Sequence, residues 1–163
     1  MTNLEEQKQT PNEVLNKLLG YALDMGKEKI EDNEDVVPFT ILVVKENIYV
    51  ETHPGMDVEE CFQSAKETIE NAQGASMYVL GYEGYVEEEE GMHDAVIAEG
   101  GIAGEEIGKA VAALFTEGQE KVEFEKQYES LGEADNMMEA LHQPTDKEAE
   151  ILEQKLNSKY EAE

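Results

Sequence analysis

Val36-Val37-Pro38-Phe39-Thr40-Ile41-Leu42-Val43-Val44-Lys45 is the stretch from which the rest of the chain can be placed. Its residues are β-branched and apolar on both faces of an extended chain, which suits a strand buried in the middle of a sheet better than one at an edge. Pro38 belongs near its start. Glu46-Asn47 then reads as a tight turn into Ile48-Tyr49-Val50-Glu51-Thr52, a hairpin that Pro54-Gly55 ends.

Helical signals flank this hairpin. Upstream, Thr10-Pro11-Asn12-Glu13 is a capping box with proline at the first helical position, so the Thr10 hydroxyl and the Glu13 carboxylate are available to free backbone donors. Val14, Leu15, Leu18, Leu19, Ala22, Leu23 and Ile30 follow at helical spacing, with Gly20 and Gly26 each weakening the helix by about 1 kcal/mol relative to alanine. Downstream, Asp57 and Glu60 open a second helix whose stripe is Val58, Cys61, Phe62, Ala65, Ile69 and Ala72, stopping at Gly74.

Beyond it, Ser76 to Val86 is extended, broken by Gly81 and Gly84 and carrying Tyr78, Tyr82 and Tyr85. Glu87 to Glu90 form a solvated connection, because four adjacent carboxylates resist burial without counter-charges. His93 to Ala98 is a return strand. Residues 100–116 fit a helix or a strand, the strand reading being preferred because a glycine-rich turn suits a meander. Lys121 to Glu129 alternate as a strand with one wet face. A short helix is expected around Met137, Met138 and Leu141. Thr145-Asp146-Lys147-Glu148 is a third capping box, opening a helix through Ile151, Leu152, Leu156 and Tyr160 that docks weakly or is kept for a partner.

These elements predict an α+β fold: a largely antiparallel sheet of about five or six strands, with the helices at 11–30 and 57–73 on one face. The expected divisions are a flexible N-terminus over 1–10, a single α+β domain over 11–132 and an acidic helical C-terminal extension over 133–163.

Charge narrows the function classes. The chain has 39 Asp and Glu against 12 cations, all of them Lys, for a formal charge of −27. Without arginine there is no guanidinium fork to grip phosphates in two-point geometry, and the net field repels polyanions. Neither nucleic acid nor an anionic membrane is an expected partner. The acidic excess has three readings: solubility, recognition of a basic protein partner, and adaptation to high internal salt. A single cysteine cannot form an internal disulfide. The segment Met1 to Glu6 lacks a signal peptide's basic and apolar regions, and no apolar run approaches the roughly 18 residues of a membrane span. The expected compartment is the cytoplasm.

The chemistry-bearing candidates are few. Glu51, His53 and Asp57 place two carboxylates around a histidine at a strand end, a set that could hold a divalent metal or act as a general base, yet Thr52-His53-Pro54-Gly55 is also plain turn chemistry and Asp57 a helix cap. His93-Asp94 beside Glu87 to Glu90 resembles a loose cation site without the calcium-loop pattern. His142 reads as a surface residue. Glu99-Gly100-Gly101-Ile102-Ala103-Gly104-Glu105-Glu106 matches neither phosphate-loop template and reads as a turn needing positive φ. Cys61, on an apolar stripe, reads as an inert small hydrophobe. No catalytic, cofactor or metal set is therefore predicted. Tyr82, Tyr85, Glu87, Glu88, Glu89 and Glu90 form the expected interaction surface, since aromatic hydroxyls beside carboxylates suit a cationic protein. The leading expectation is a non-enzymatic interaction factor, of inhibitor, antitoxin or immunity type, acting on a basic protein. A small-molecule or metal-binding module and an enzyme with its site near His53 are the alternatives, and a homodimer through a strand edge or the last helix stays open.

Overall fold

The computed structural model describes residues 9–118 and 120–161, the side chains of 160 and 161 excepted. The expectation for residues 1–10 lies outside these, save for Gln9 and Thr10. Strand β1 (Phe39–Val44) is buried at every position. It lies between β2 (Asn47–Thr52) and β3 (Met77–Glu88), antiparallel to both. A strand apolar on both faces needs a cover on each, and it has one. Helix α1 (Pro11–Glu31) sets Leu15, Leu19 and Leu23 over Phe39, Ile41, Val43 and Val79. On the opposite face α2 (Val58–Glu70) and a C-terminal helix, α3 (Asp146–Glu161), set Ala65, Ile69, Ala149 and Leu152 over Leu42, Val44, Tyr78 and Leu80. The helices at 11–30 and 57–73 thus lie on opposite faces rather than on one, as the doubly apolar β1 requires.

The α+β class stands, with every strand pairing antiparallel. The sheet has seven strands rather than five or six, in the order β2-β1-β3-β4-β5-β6, with β7 also pairing with β5. The remaining strands are β4 (Gly91–Ile102), β5 (Ile107–Glu117), β6 (Val122–Phe124) and β7 (Glu129–Asp135). Residues 107–117 resolve as a strand, the preferred reading of that ambiguous region.

Several local expectations change. The hairpin turns at Lys45-Glu46, one residue earlier than Glu46-Asn47, with Lys45 at φ 56°. Gly81 and Gly84 do not break β3, which runs for 12 residues. Gly81 is needed because the Phe39 ring crosses it, and a Cβ there would come within 2.3 Å of that ring. Gly100 and Gly101 lie in β4 rather than in a turn. A Cβ on Gly100 would meet the Tyr78 carbonyl at 2.7 Å, and one on Gly101 the Asn136 amide at 2.4 Å. Only Gly104 of that cluster takes positive φ. The stretch 121–129 splits into β6 and the start of β7.

The helix expected at Met137–Leu141 is instead a run of turns. Asn136 organises it, its amide donating to the carbonyls of Ile102 and Glu105 while its oxygen accepts from Met138 N–H. Side chain–backbone bonds of this kind compete with helix formation. Among the described residues no helix is long and apolar enough to cross a membrane.

Candidate functional site

The burial of β3 changes halfway along it. Met77 to Gly81 are buried, whereas Tyr82 to Glu88 alternate between half-buried and exposed positions. Here β3 and β4 continue past β1 as an arm that β5 flanks as far as the Asp94–Phe115 pair and that is two-stranded beyond it, closed by a turn at Glu89-Glu90 between the paired residues Glu88 and Gly91. Gly91, at φ 126°, supplies the conformation that tight turn requires.

Strand alternation assigns each side chain of the arm to a face. Glu83, Tyr85 and Glu87 share the face of α1 with Asp94 and Met92, and Tyr85 and Met92 are 68% and 64% exposed. Tyr82, Val86 and Glu88 share the opposite face with His93, over a small floor of Ala95, Ile97, Ala112 and Leu114. The residues expected to form one interaction surface are therefore divided: Tyr85 and Glu87 on one face, Tyr82 and Glu88 on the other, Glu89 and Glu90 at the tip. Tyr82 is committed locally, its ring edge-on to Phe62 at 5.0 Å and its hydroxyl donating to Glu99.

Both faces gather carboxylates. Around His93 stand Glu88, Glu89, Glu90, Glu125 and Glu129, with Glu90 3.6 Å from the imidazole. Glu125 and Glu129 come from the far side of β5 and carried no signal in the sequence, because their approach depends on the chain bending between β6 and β7. Glu129 holds its proton above the usual carboxylate range, chiefly through a hydrogen bond with Glu88. On the other face Glu83 is likewise raised, first by burial and then by Asp35, Asp94 and Glu117, against the Val36 N–H that it accepts. Among the described residues no lysine forms an ion pair with any of these carboxylates. The lysine ion pairs lie elsewhere: Lys29 with Glu34, Lys45 with Glu150 and Glu153, and Lys159 with Glu51.

A cavity of about 240 Å³ adjoins the arm, between Asp35, Val36 and Pro38, the first turns of α2 at Val58, Cys61 and Phe62, and residues 82–85 of β3. Small-molecule sites usually enclose roughly 300–1,000 Å³. This space is the size of one or two side chains.

The Glu51, His53 and Asp57 set does not converge. His53 is 1% exposed, with Thr40 Oγ1 2.8 Å from Nε2 and Ser64 Oγ 3.2 Å from Nδ1. Glu51 pairs with Lys159 of α3. Asp57 caps α2, accepting from Glu60 N–H at 2.8 Å. His142 Nε2 donates to the Glu148 carboxylate, 2.9 Å away, beside the cap of α3. Among the described residues no group of three or more His, Cys, Asp or Glu side chains is arranged to hold a metal ion.

The chain matches no family model, no characterised protein and no solved structure.

Proposed function

We propose that this chain is a non-enzymatic interaction protein that takes up a basic protein partner on the β3–β4 arm. The observation that supports it is the set of carboxylates on both faces of the arm without a lysine partner among the described residues, two of them driven towards protonation, Glu83 first by burial and then by Asp35, Asp94 and Glu117, and Glu129 chiefly by Glu88. Mutual repulsion of this kind is relieved when a cationic surface arrives, and opposite potentials accelerate and orient such encounters. Exposed Tyr85 and Met92 add contact area at the centre of the charge. On this reading the chain acts as an inhibitor, antitoxin or immunity factor that neutralises the basic protein it binds. The ligand-binding and His53-centred enzymatic alternatives have less support, since the cavity beside α2 holds only about 240 Å³, the larger one of about 350 Å³ at His93 is lined by His93 and five carboxylates with no apolar wall, and both His53 nitrogens are occupied by hydroxyls.

The test is affinity capture from native lysate at low salt, eluted by a salt gradient. Support would be one stoichiometric basic protein, lost when Glu87–Glu90 are all reversed to lysine and retained when Glu28 and Glu31 on α1 are reversed. A smear of unrelated cationic proteins, unchanged by the reversal, would count against it.

A further inference from the structure

The register fixes which backbone groups of the arm are free. Ala103 N–H donates to the Ser76 carbonyl, and the turn at the far end closes at Glu88 and Gly91. In an antiparallel ladder bonded residues alternate, so the even-numbered residues of β3 bond to β4 and the odd-numbered ones face β1. β1 occupies Met77, Val79 and Gly81 and ends there, because Phe39 is its first residue. The N–H and C=O groups of Glu83, Tyr85 and Glu87 therefore point off the sheet. Among the described residues the pairing of β1 ends at Gly81, and no turn or loop backbone bond reaches Glu83, Tyr85 or Glu87. A strand edge of this kind is a template for another strand.

The side chains around the edge specify what such a strand would carry. On the α1 face it is bordered by Glu83, Tyr85 and Glu87, with Asp35 close to Glu83. Below the edge lies the cavity, walled by Val58, Cys61, Phe62 and Tyr82 on the α2 side and by Asp35, Val36 and Pro38 where the chain enters β1. Residues 35–38 lead into β1 beside Glu83, so an added strand lies beyond them, along Tyr85 and Glu87 with its end at Glu83, and presents alternate residues to these two surfaces.

We propose that the open edge of β3 at Glu83, Tyr85 and Glu87 receives an extended segment of a partner protein by strand addition, with lysine or arginine on one side and apolar residues on the other. The cations face Glu83, Tyr85 and Glu87, and one apolar side chain fills the cavity against Phe62 and Cys61. A second copy of this chain is the wrong occupant, because it would bring a chain of charge −27 against these carboxylates. This rests on the basic-partner reading above and adds to it the mode of binding and the pattern of the bound sequence.

The experiment uses the full chain and a seven-residue peptide of alternating Lys and Val, blocked at both ends, beside a copy N-methylated at every second residue so that one backbone edge cannot donate. At low salt the parent peptide is expected to bind and to slow amide exchange at Glu83, Tyr85 and Glu87 at least tenfold, leaving the even-numbered amides of β3 as they were. The methylated peptide should bind at least tenfold more weakly. Tyr85→Pro, which removes an outward N–H without touching the β4 ladder, should lose binding that Tyr85→Ala largely keeps. Equal binding of the two peptides would overturn strand addition while leaving a charge-driven basic partner standing, and that comparison needs no variant to fold. Failure of both peptides to bind would overturn strand addition and the basic-partner reading together.

Discussion

Two glycines in one helix separate conformational cost from packing. Gly20 has nothing within 4 Å of where a Cβ would stand, whereas a Cβ on Gly26 would lie 2.3 Å from Val96 Cγ1. Gly20→Ala should therefore stabilise the fold by about 1 kcal/mol, and Gly26→Ala should destabilise it by about 1–3 kcal/mol as α1 is pushed off β4. Urea unfolding of both variants checks the signs, and a stabilising Gly26→Ala would contradict the packing described. His53 makes a prediction about pH. Burial holds its imidazole below the ordinary 6.5, outweighing Glu51, which raises it. The folded form keeps the ring neutral, so the stability involved is whole above about pH 6.5 and is lost as the pH falls towards the depressed folded value. His53→Gln should accordingly show a smaller loss of unfolding free energy between pH 8 and pH 5.5 than the native chain. The sequence marked His53 as unusual but not as buried, since its partners Thr40 and Ser64 lie on β1 and α2 and meet it only in the fold.

Helix starts were the most legible elements, because a cap is written in four consecutive residues. Thr145 and Glu148 form the reciprocal box, the hydroxyl accepting from Glu148 N–H at 3.2 Å and the carboxylate from Thr145 N–H at 2.9 Å. At Thr10 only half of it forms, for the hydroxyl accepts from Glu13 N–H and donates to the Glu13 carboxylate instead. Thr145→Ala should cost about 1 kcal/mol. Docking was not legible, since it depends on where the β1–β2 hairpin places Lys45 and Asn47. Both reach Glu153 of α3, at 3.4 and 2.9 Å. Leu152, 8% exposed, seats the helix beside Gly74 at φ 119°, where a Cβ would stand 2.5 Å from the Glu148 carbonyl. Leu152→Ala is expected to cost about 2–4 kcal/mol and to lower a single thermal transition. A separate early transition for α3 would show instead that it unfolds on its own. Residues 137–141 were misread because Met137, Met138 and Leu141 have helical spacing, while the buried amide of Asn136 selects turns.

Over the whole molecule, charge opposes the compact state. With a net charge of −27 and few ion pairs among the described residues to offset it, self-repulsion should be screened by salt over a Debye length of about 10 Å at 0.1 M. Raising NaCl from 10 to 300 mM should therefore raise the melting temperature, and a flat or falling curve would mean that repulsion is already offset locally. The layered architecture was half legible. The apolar Phe39–Val44 segment announced a buried strand, but its need for cover on both sides was not carried through to the helices, and the arm's acidic groups from β5–β7 are separated from Glu88 by some forty positions that the fold alone brings back. One feature of the cavity reaches into practice. Cys61 is the chain's single thiol, half-buried in the wall beside the open edge of β3. Alkylating that thiol on the native chain would thus fill the cavity at one known place, and a partner strand that seats a side chain against Cys61 should be blocked by the modification and should in turn slow the thiol's reaction with maleimide.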